Sequence, residues 1–80
     1  MKLPRDLSGT DLIQRLKALG YEPTRQTGSH IRLTTQTGGE HHITIPNHDP
    51  LRIGTLSSIL DLVADHFNIT KFELLNQLFG

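Results

Sequence analysis

A histidine delivered by a tight turn is the first residue in this chain equipped for chemistry. Gly28-Ser29-His30 sets an imidazole at the start of an alternating segment. Histidine is the one side chain that exchanges a proton near neutral pH without help from its surroundings. Arg32 follows two residues on, on the same side of a strand, where its planar fork suits a bound phosphate. Arg25 sits just before the turn and can reach the same groove. His42 is the other nearby imidazole, on an adjacent strand and the same face, at a distance from His30 that spacing alone leaves open. Backbone N–H groups around Gly28 and Ser29 offer a further place for an anion. Ser29 reads as a turn former rather than a nucleophile, since no Ser-His-Asp order accompanies it.

The elements that must position these residues follow from periodicity. Ser8 predicts an N-cap with Asp11 three residues on, and Leu12, Ile13, Leu16 and Leu19 recur on one helical face up to Gly20, a C-cap. A helix is therefore expected over 8–19. Tyr21 to Gln26 is short and polar, and Pro23 restricts it to a sheet edge. After the Thr27-Gly28 turn, Ser29 to Thr35 alternates, with Ile31 and Leu33 on one side and His30, Arg32 and Thr34 on the other. Thr37-Gly38-Gly39-Glu40 has hairpin composition. His41 to Pro46 alternates again, Ile43 and Ile45 against His42 and Thr44. Both apolar faces would meet the same helices, so His30, Arg32, His42 and Thr44 share the opposite face. Leu56, Ile59, Leu60, Val63 and Phe67 then mark a helix with Thr55 as its N-cap and Asn68 at its end. Thr70 and Glu73 form a capping-box pattern for a last helix packing through Phe72, Leu75 and Phe79. The order is α-β-β-β-α-α, an α+β meander with helices on one face, read as a single domain over 1–80.

Composition narrows the class. The chain has 80 residues and no cysteine, which excludes disulfides and thiolate metal sites. His41, His42, His48 and Asp49 fit no zinc spacing, and neighbouring strand residues face opposite ways, so no metal and no cofactor is expected. Met1 to Asp6 carries no apolar run like a secretion signal, and no stretch approaches the ~18 apolar residues of a membrane span. A soluble, cytoplasmic domain is the expectation. Lys plus Arg equals Asp plus Glu at eight each, but the signs are uneven. From Tyr21 to Gly54, Arg25, Arg32, Arg52 and four of the five histidines outweigh Glu22, Glu40 and Asp49. From Leu56 onward, Asp61, Asp65 and Glu73 face Lys71 alone. Any nucleic acid would be met in the middle of the chain.

Four features in order carry a family resemblance: the Gly20-Tyr21 lead-in to the first strand, Gly28-Ser29-His30, Ile43-Thr44-Ile45-Pro46 with the polar loop Asn47-His48-Asp49-Pro50, and Gly54-Thr55-Leu56-Ser57-Ser58-Ile59-Leu60. In this order and spacing the chain resembles the HicA toxins, small messenger-RNA interferases of bacterial toxin–antitoxin pairs. The match runs from Leu12 to about Leu75. The resemblance implies a fold like the double-stranded RNA-binding domain, and His30 as the residue tied to RNA cleavage. It also implies a HicB-like antitoxin that occludes the active surface. Family members are usually basic, whereas this chain is neutral.

Metal-free RNA cleavage uses the neighbouring 2′-hydroxyl as nucleophile, so it requires a base for that proton, an acid for the departing 5′-oxygen and positive charge at the phosphorane. His30 suits either proton role. Arg25, Gly28, Ser29, Arg32 and His42 are the candidate RNA contacts. The leading reading is a type II toxin that cuts messenger RNA and inhibits translation. A non-catalytic RNA- or protein-binding module of the same fold is the alternative, favoured by zero net charge because Lys and Arg supply most non-specific affinity. A third reading is a degenerate toxin that keeps only its antitoxin contact. The last helix is a candidate surface for an antitoxin or for self-association.

Overall fold

The computed structural model describes residues 3–80. Met1 and Lys2, the start of the segment read above as lacking a secretion signal, lie outside the described residues. Helix α1 spans Gly9–Leu16, followed by a 3-10 turn over Lys17–Leu19. Strands β1 (Glu22–Thr27), β2 (His30–Thr35) and β3 (His41–Pro46) form one antiparallel sheet in the order β1-β2-β3. Helices α2 (Ile53–Phe67) and α3 (Lys71–Phe79) complete the chain. Among the described residues no helix is long and apolar enough to cross a membrane.

The expected capping box closes α1. Ser8 Oγ accepts from the Asp11 N–H at 3.0 Å, and the Asp11 carboxylate accepts from the Ser8 N–H at 3.2 Å. The Ser8 backbone N–H, and after it the Ser8 hydroxyl, hold the Asp11 carboxyl below the ordinary carboxylate range. Leu12, Ile13 and Leu16 are buried as the periodicity predicts. The last turn tightens into 3-10 geometry and ends at Gly20, whose φ of +86° is left-handed. A side chain there would run into the hydroxyls of Thr35 and Thr37. Thr35 is itself buried, with its hydroxyl donating to the Leu19 carbonyl at 2.9 Å.

Ile31, Leu33, Ile43 and Ile45 are buried on the inner face of the sheet, alongside Tyr21, Leu12, Leu16, Leu56, Leu60, Val63 and Leu74. Every residue of β1 is exposed, as an edge strand containing Pro23 should be. β1 also carries a bulge: the register against β2 shifts between Pro23 and Arg25, leaving Thr24 as the extra residue.

Two expectations about the helices are corrected. α2 begins at Ile53 with Arg52 as its cap residue, so Thr55 lies inside the first turn rather than at the N-cap. The reason is tertiary. Leu51 is buried and its N–H donates to the Leu7 carbonyl at 2.7 Å, which fixes the chain, and the Leu56 N–H then closes a turn onto Arg52 at 2.9 Å. The helix ends where expected, at Asn68, which takes the left-handed conformation while Ile69 donates back to Ala64. In α3 the Thr70–Glu73 capping box forms, but the buried face is Leu74, Leu75 and Leu78. Phe72 is 58% exposed, and Phe79 is half-buried beneath the Arg15 guanidinium. Arg15 also donates to the Leu78 carbonyl at 3.0 Å, and this clasp between α1 and α3 turns the leucines inward.

α1 approaches the end of β3 closely. The Gly9 N–H donates to the His48 carbonyl at 2.9 Å, and a Cβ on Gly9 would lie 2.2 Å from the Pro46 carbonyl oxygen. Backbone cannot yield there as a side chain can, so Gly9→Ala is expected to destabilise the fold by about 1–3 kcal/mol. Gly54 has open space around it inside α2, and Gly54→Ala should be neutral or stabilising by up to about 1 kcal/mol. Urea denaturation of the two variants checks both, and equal stability of Gly9→Ala and the parent would contradict the packing.

Candidate active site on the open sheet face

The β1–β2 turn consists of Gly28, at φ +57°, and Ser29. It is braced by the Gln26 side chain, which donates to the Gly28 carbonyl at 3.2 Å, and by the Asn47 N–H, which donates to the Ser29 carbonyl at 2.6 Å. His30 is the first residue of β2, opposite Thr27 on β1 and Pro46 on β3. It is exposed, and its ring has no hydrogen-bond partner among the described residues.

One row further along, Arg32 stands opposite both Arg25 on β1 and Thr44 on β3. Directly opposed strand residues share a face, so the two arginines rise from neighbouring positions on it, with no carboxylate between them in the register. Like charges so placed oppose folding. Paired cations on an open face attract anions, and this pair lies a step of roughly 7 Å along the strand from His30. His30, Arg25 and Arg32 thus make one cationic end of the open face, with the Gly28-Ser29 turn at its rim.

His42 lies on the same face, but not at the same place. It is opposite Thr34, four residues along β2 from His30, or roughly 13 Å at strand rise. That separation removes His42 from any proton transfer at the atoms His30 would serve. Its ring is engaged elsewhere: Nδ1 is 2.7 Å from Thr34 Oγ1 and Nε2 is 2.8 Å from Glu40 Oε2. Thr34 Oγ1 in turn is 2.8 Å from Thr24 Oγ1 on the bulge. The hydrogen bond from His42, ahead of a weaker one from Gln36, holds the Glu40 carboxyl below its ordinary range. The sequence reading missed this chain. Glu40 and Thr24 were visible only as loop and edge residues, and no local signal reports the bulge that aims Thr24 at Thr34.

His41 points the other way, as strand alternation requires. Its Nδ1 is 2.7 Å from the hydroxyl of the buried Tyr21, and its ring stacks on His66 of α2 at 4.3 Å between centroids. His66 Nε2 donates to the Thr37 carbonyl at 2.9 Å, and its ring meets Phe67 edge to face. Burial pushes the Tyr21 hydroxyl up to about 12. Burial also lowers His41 below 6.5, with smaller contributions from the positive charges His66 and His42 can carry. Among the described residues no three His, Asp or Glu side chains gather closely enough to hold a metal ion.

The family model described as the HicA toxin of bacterial toxin–antitoxin systems matches residues 9–63. That span covers α1, the whole sheet, both ends of the open face and most of α2. No curated protein and no solved structure matches the chain.

The His41 environment sets a pH dependence. A histidine whose folded pKa is depressed binds its proton more readily in the unfolded chain, so stability is intact above the ordinary value of 6.5 and falls as pH drops below it. Thermal melts between pH 7.5 and 5 should move downward, and His41→Gln should flatten the slope. A parent chain whose melting temperature is constant over that range would contradict the half-buried, stacked arrangement.

Proposed function

The chain belongs to the HicA toxin family of bacterial toxin–antitoxin pairs, and on that premise we propose that it is a metal-independent endoribonuclease that cuts messenger RNA and so inhibits translation. The observation that carries this reading is the juxtaposition of His30 with the opposed Arg25 and Arg32 on an open sheet face. RNA brings its own nucleophile. His30 takes the proton of the 2′-hydroxyl as it attacks the adjacent phosphorus, or gives a proton to the 5′-oxygen as that bond breaks. Arg25 and Arg32 neutralise the charge that builds on the non-bridging oxygens. Gly28 and Ser29 offer backbone N–H groups at the same end. With His42 about 13 Å away, the second proton transfer does not fall to that imidazole.

As a toxin the protein has an antitoxin partner. A HicB-like antitoxin laid over the open face would cover His30 and both arginines together. Messenger RNA and such an antitoxin would be met in the cytoplasm.

The non-catalytic alternative, a module that binds RNA or protein on the same fold, is favoured by one observation: among the described residues, no second proton-transfer group is hydrogen-bonded to His30. Incubation of wild type and His30→Ala with mixed RNA in excess EDTA separates the two. Cleavage by wild type, reduced roughly 10²–10⁴-fold in His30→Ala, is the expected result. Intact RNA in both lanes, from protein that binds it, would favour the module. For the arginines, Arg25→Ala and Arg32→Ala should each weaken RNA binding and reduce the slope of log K against log salt by about 0.7. An unchanged slope in both variants would remove them from the phosphate path.

A further inference from the structure

The open face carries a second polar array that the proposed cleavage does not use. At the end remote from His30, the Thr24, Thr34, His42 and Glu40 side chains link across all three strands into one hydrogen-bonded chain. We propose that this row is a base-reading subsite that takes the Watson–Crick edge of an unpaired guanine in the RNA, an inference that rests on reading the face as an RNA-cutting surface.

Charge decides what kind of group approaches. Arg32 bears on Glu40 from the next row, but within this row, where Glu22 is opposite Thr34 and Glu40 closes the end, the charged side chains are carboxylates. They repel phosphate. The opposed arginines two residues along β2 attract it. An RNA strand with a phosphate held at Arg25 and Arg32 therefore meets this row through a neutral part, the base.

The direction of the hydrogen bonds decides which base. With Glu40 ionised, His42 Nε2 carries the proton that faces it, and neutral Nδ1 is then an acceptor. Thr34 donates its hydroxyl to Nδ1, and the one Thr24 hydrogen is shared between Thr34 Oγ1 and the more distant Arg32 carbonyl. The hydrogens of the chain are thus committed inward. What remains for a ligand is acceptor capacity on the exposed Glu40 carboxylate, which has no hydrogen of its own to give. Guanine is the base whose Watson–Crick edge presents two N–H donors side by side. The Gln36 amide, 3.5 Å from the other carboxylate oxygen, can turn toward the neighbouring O6. Unpaired bases are the part of RNA that proteins read by hydrogen bonds to these edges. Because the row lies a fixed distance along β2 from His30, the guanine should occupy one fixed position relative to the cut.

Sequencing the cut ends of a random RNA pool tests this. A bidentate contact to a base edge corresponds to roughly 5–150-fold discrimination, so wild type should enrich guanine at least about 5-fold at one position and Glu40→Gln less than about 2-fold. Enrichment is a ratio among cuts and does not depend on overall rate. A flat distribution from an active wild type, or the same enrichment in Glu40→Gln, would overturn the subsite while leaving the nuclease reading in place. No cuts at all would overturn the nuclease reading. The subsite is then decided by the affinity of His30→Ala protein for short single strands that differ only in one guanine replaced by uracil. Tighter binding of the guanine strand, lost in the His30→Ala/Glu40→Gln double variant, supports the subsite, and equal affinities overturn it.

Discussion

Burial of Ile31, Leu33, Ile43 and Ile45 against the helices is the constraint on which the rest of the structure depends. Side chains alternate along a strand, so fixing these four inward fixes His30, Arg32, His42 and Thr44 outward. A slip of one residue in β2 would expose Ile31 and Leu33 and bury a histidine and an arginine without partners. The hydrophobic side of the sheet thus holds the polar side in register, although no residue of the open face contributes to the core. Gly9, the Thr35 hydroxyl and the Arg15 clasp secure the layers behind it.

The parity of the strands was legible in the sequence for the same reason. Two short runs with period two, each ending in turn residues, leave little choice about which side chains face together. Capping boxes at Ser8 and Thr70, the left-handed glycine at position 20 and the Asn68 stop are local signals, and they formed as read. What could not be read depends on pairing between segments. The direct opposition of Arg25 and Arg32 follows from a register with a bulge at Thr24, and the distance between His30 and His42 follows from which residues of β2 and β3 are partners. The stack of His41 on His66 joins residues far apart in the chain. At Thr55 a good local cap lost to the tertiary anchoring of Leu51, and in α3 the phenylalanines lost the core face to leucines held by Arg15.

Neutral charge first looked at odds with an RNA-directed surface. Under the proposed reading the two are compatible, because the charges are separated in space. One end of the open face gathers His30, Arg25 and Arg32, and the other holds Glu22 and Glu40 around His42. A sum over the chain conceals this polarity, while a strand of RNA laid along the sheet would meet each end in turn. Screening shortens the reach of such fields to about 8–10 Å at physiological salt. His30 and His42, roughly 13 Å apart, lie beyond that reach of one another, while Arg32 stands between them, close enough to bear on Glu40.

The central claim is that the cationic end of the face directs a 2′-hydroxyl against its own phosphate. The most direct measurement uses one short RNA with a mapped cut site, compared with the same strand lacking only the 2′-hydroxyl at that nucleotide. The account predicts 2′,3′-cyclic phosphate and 5′-hydroxyl ends from the first strand and no cut in the second. Cleavage of the deoxy-substituted strand at the same bond, or 5′-phosphate ends from the unmodified one, would contradict it.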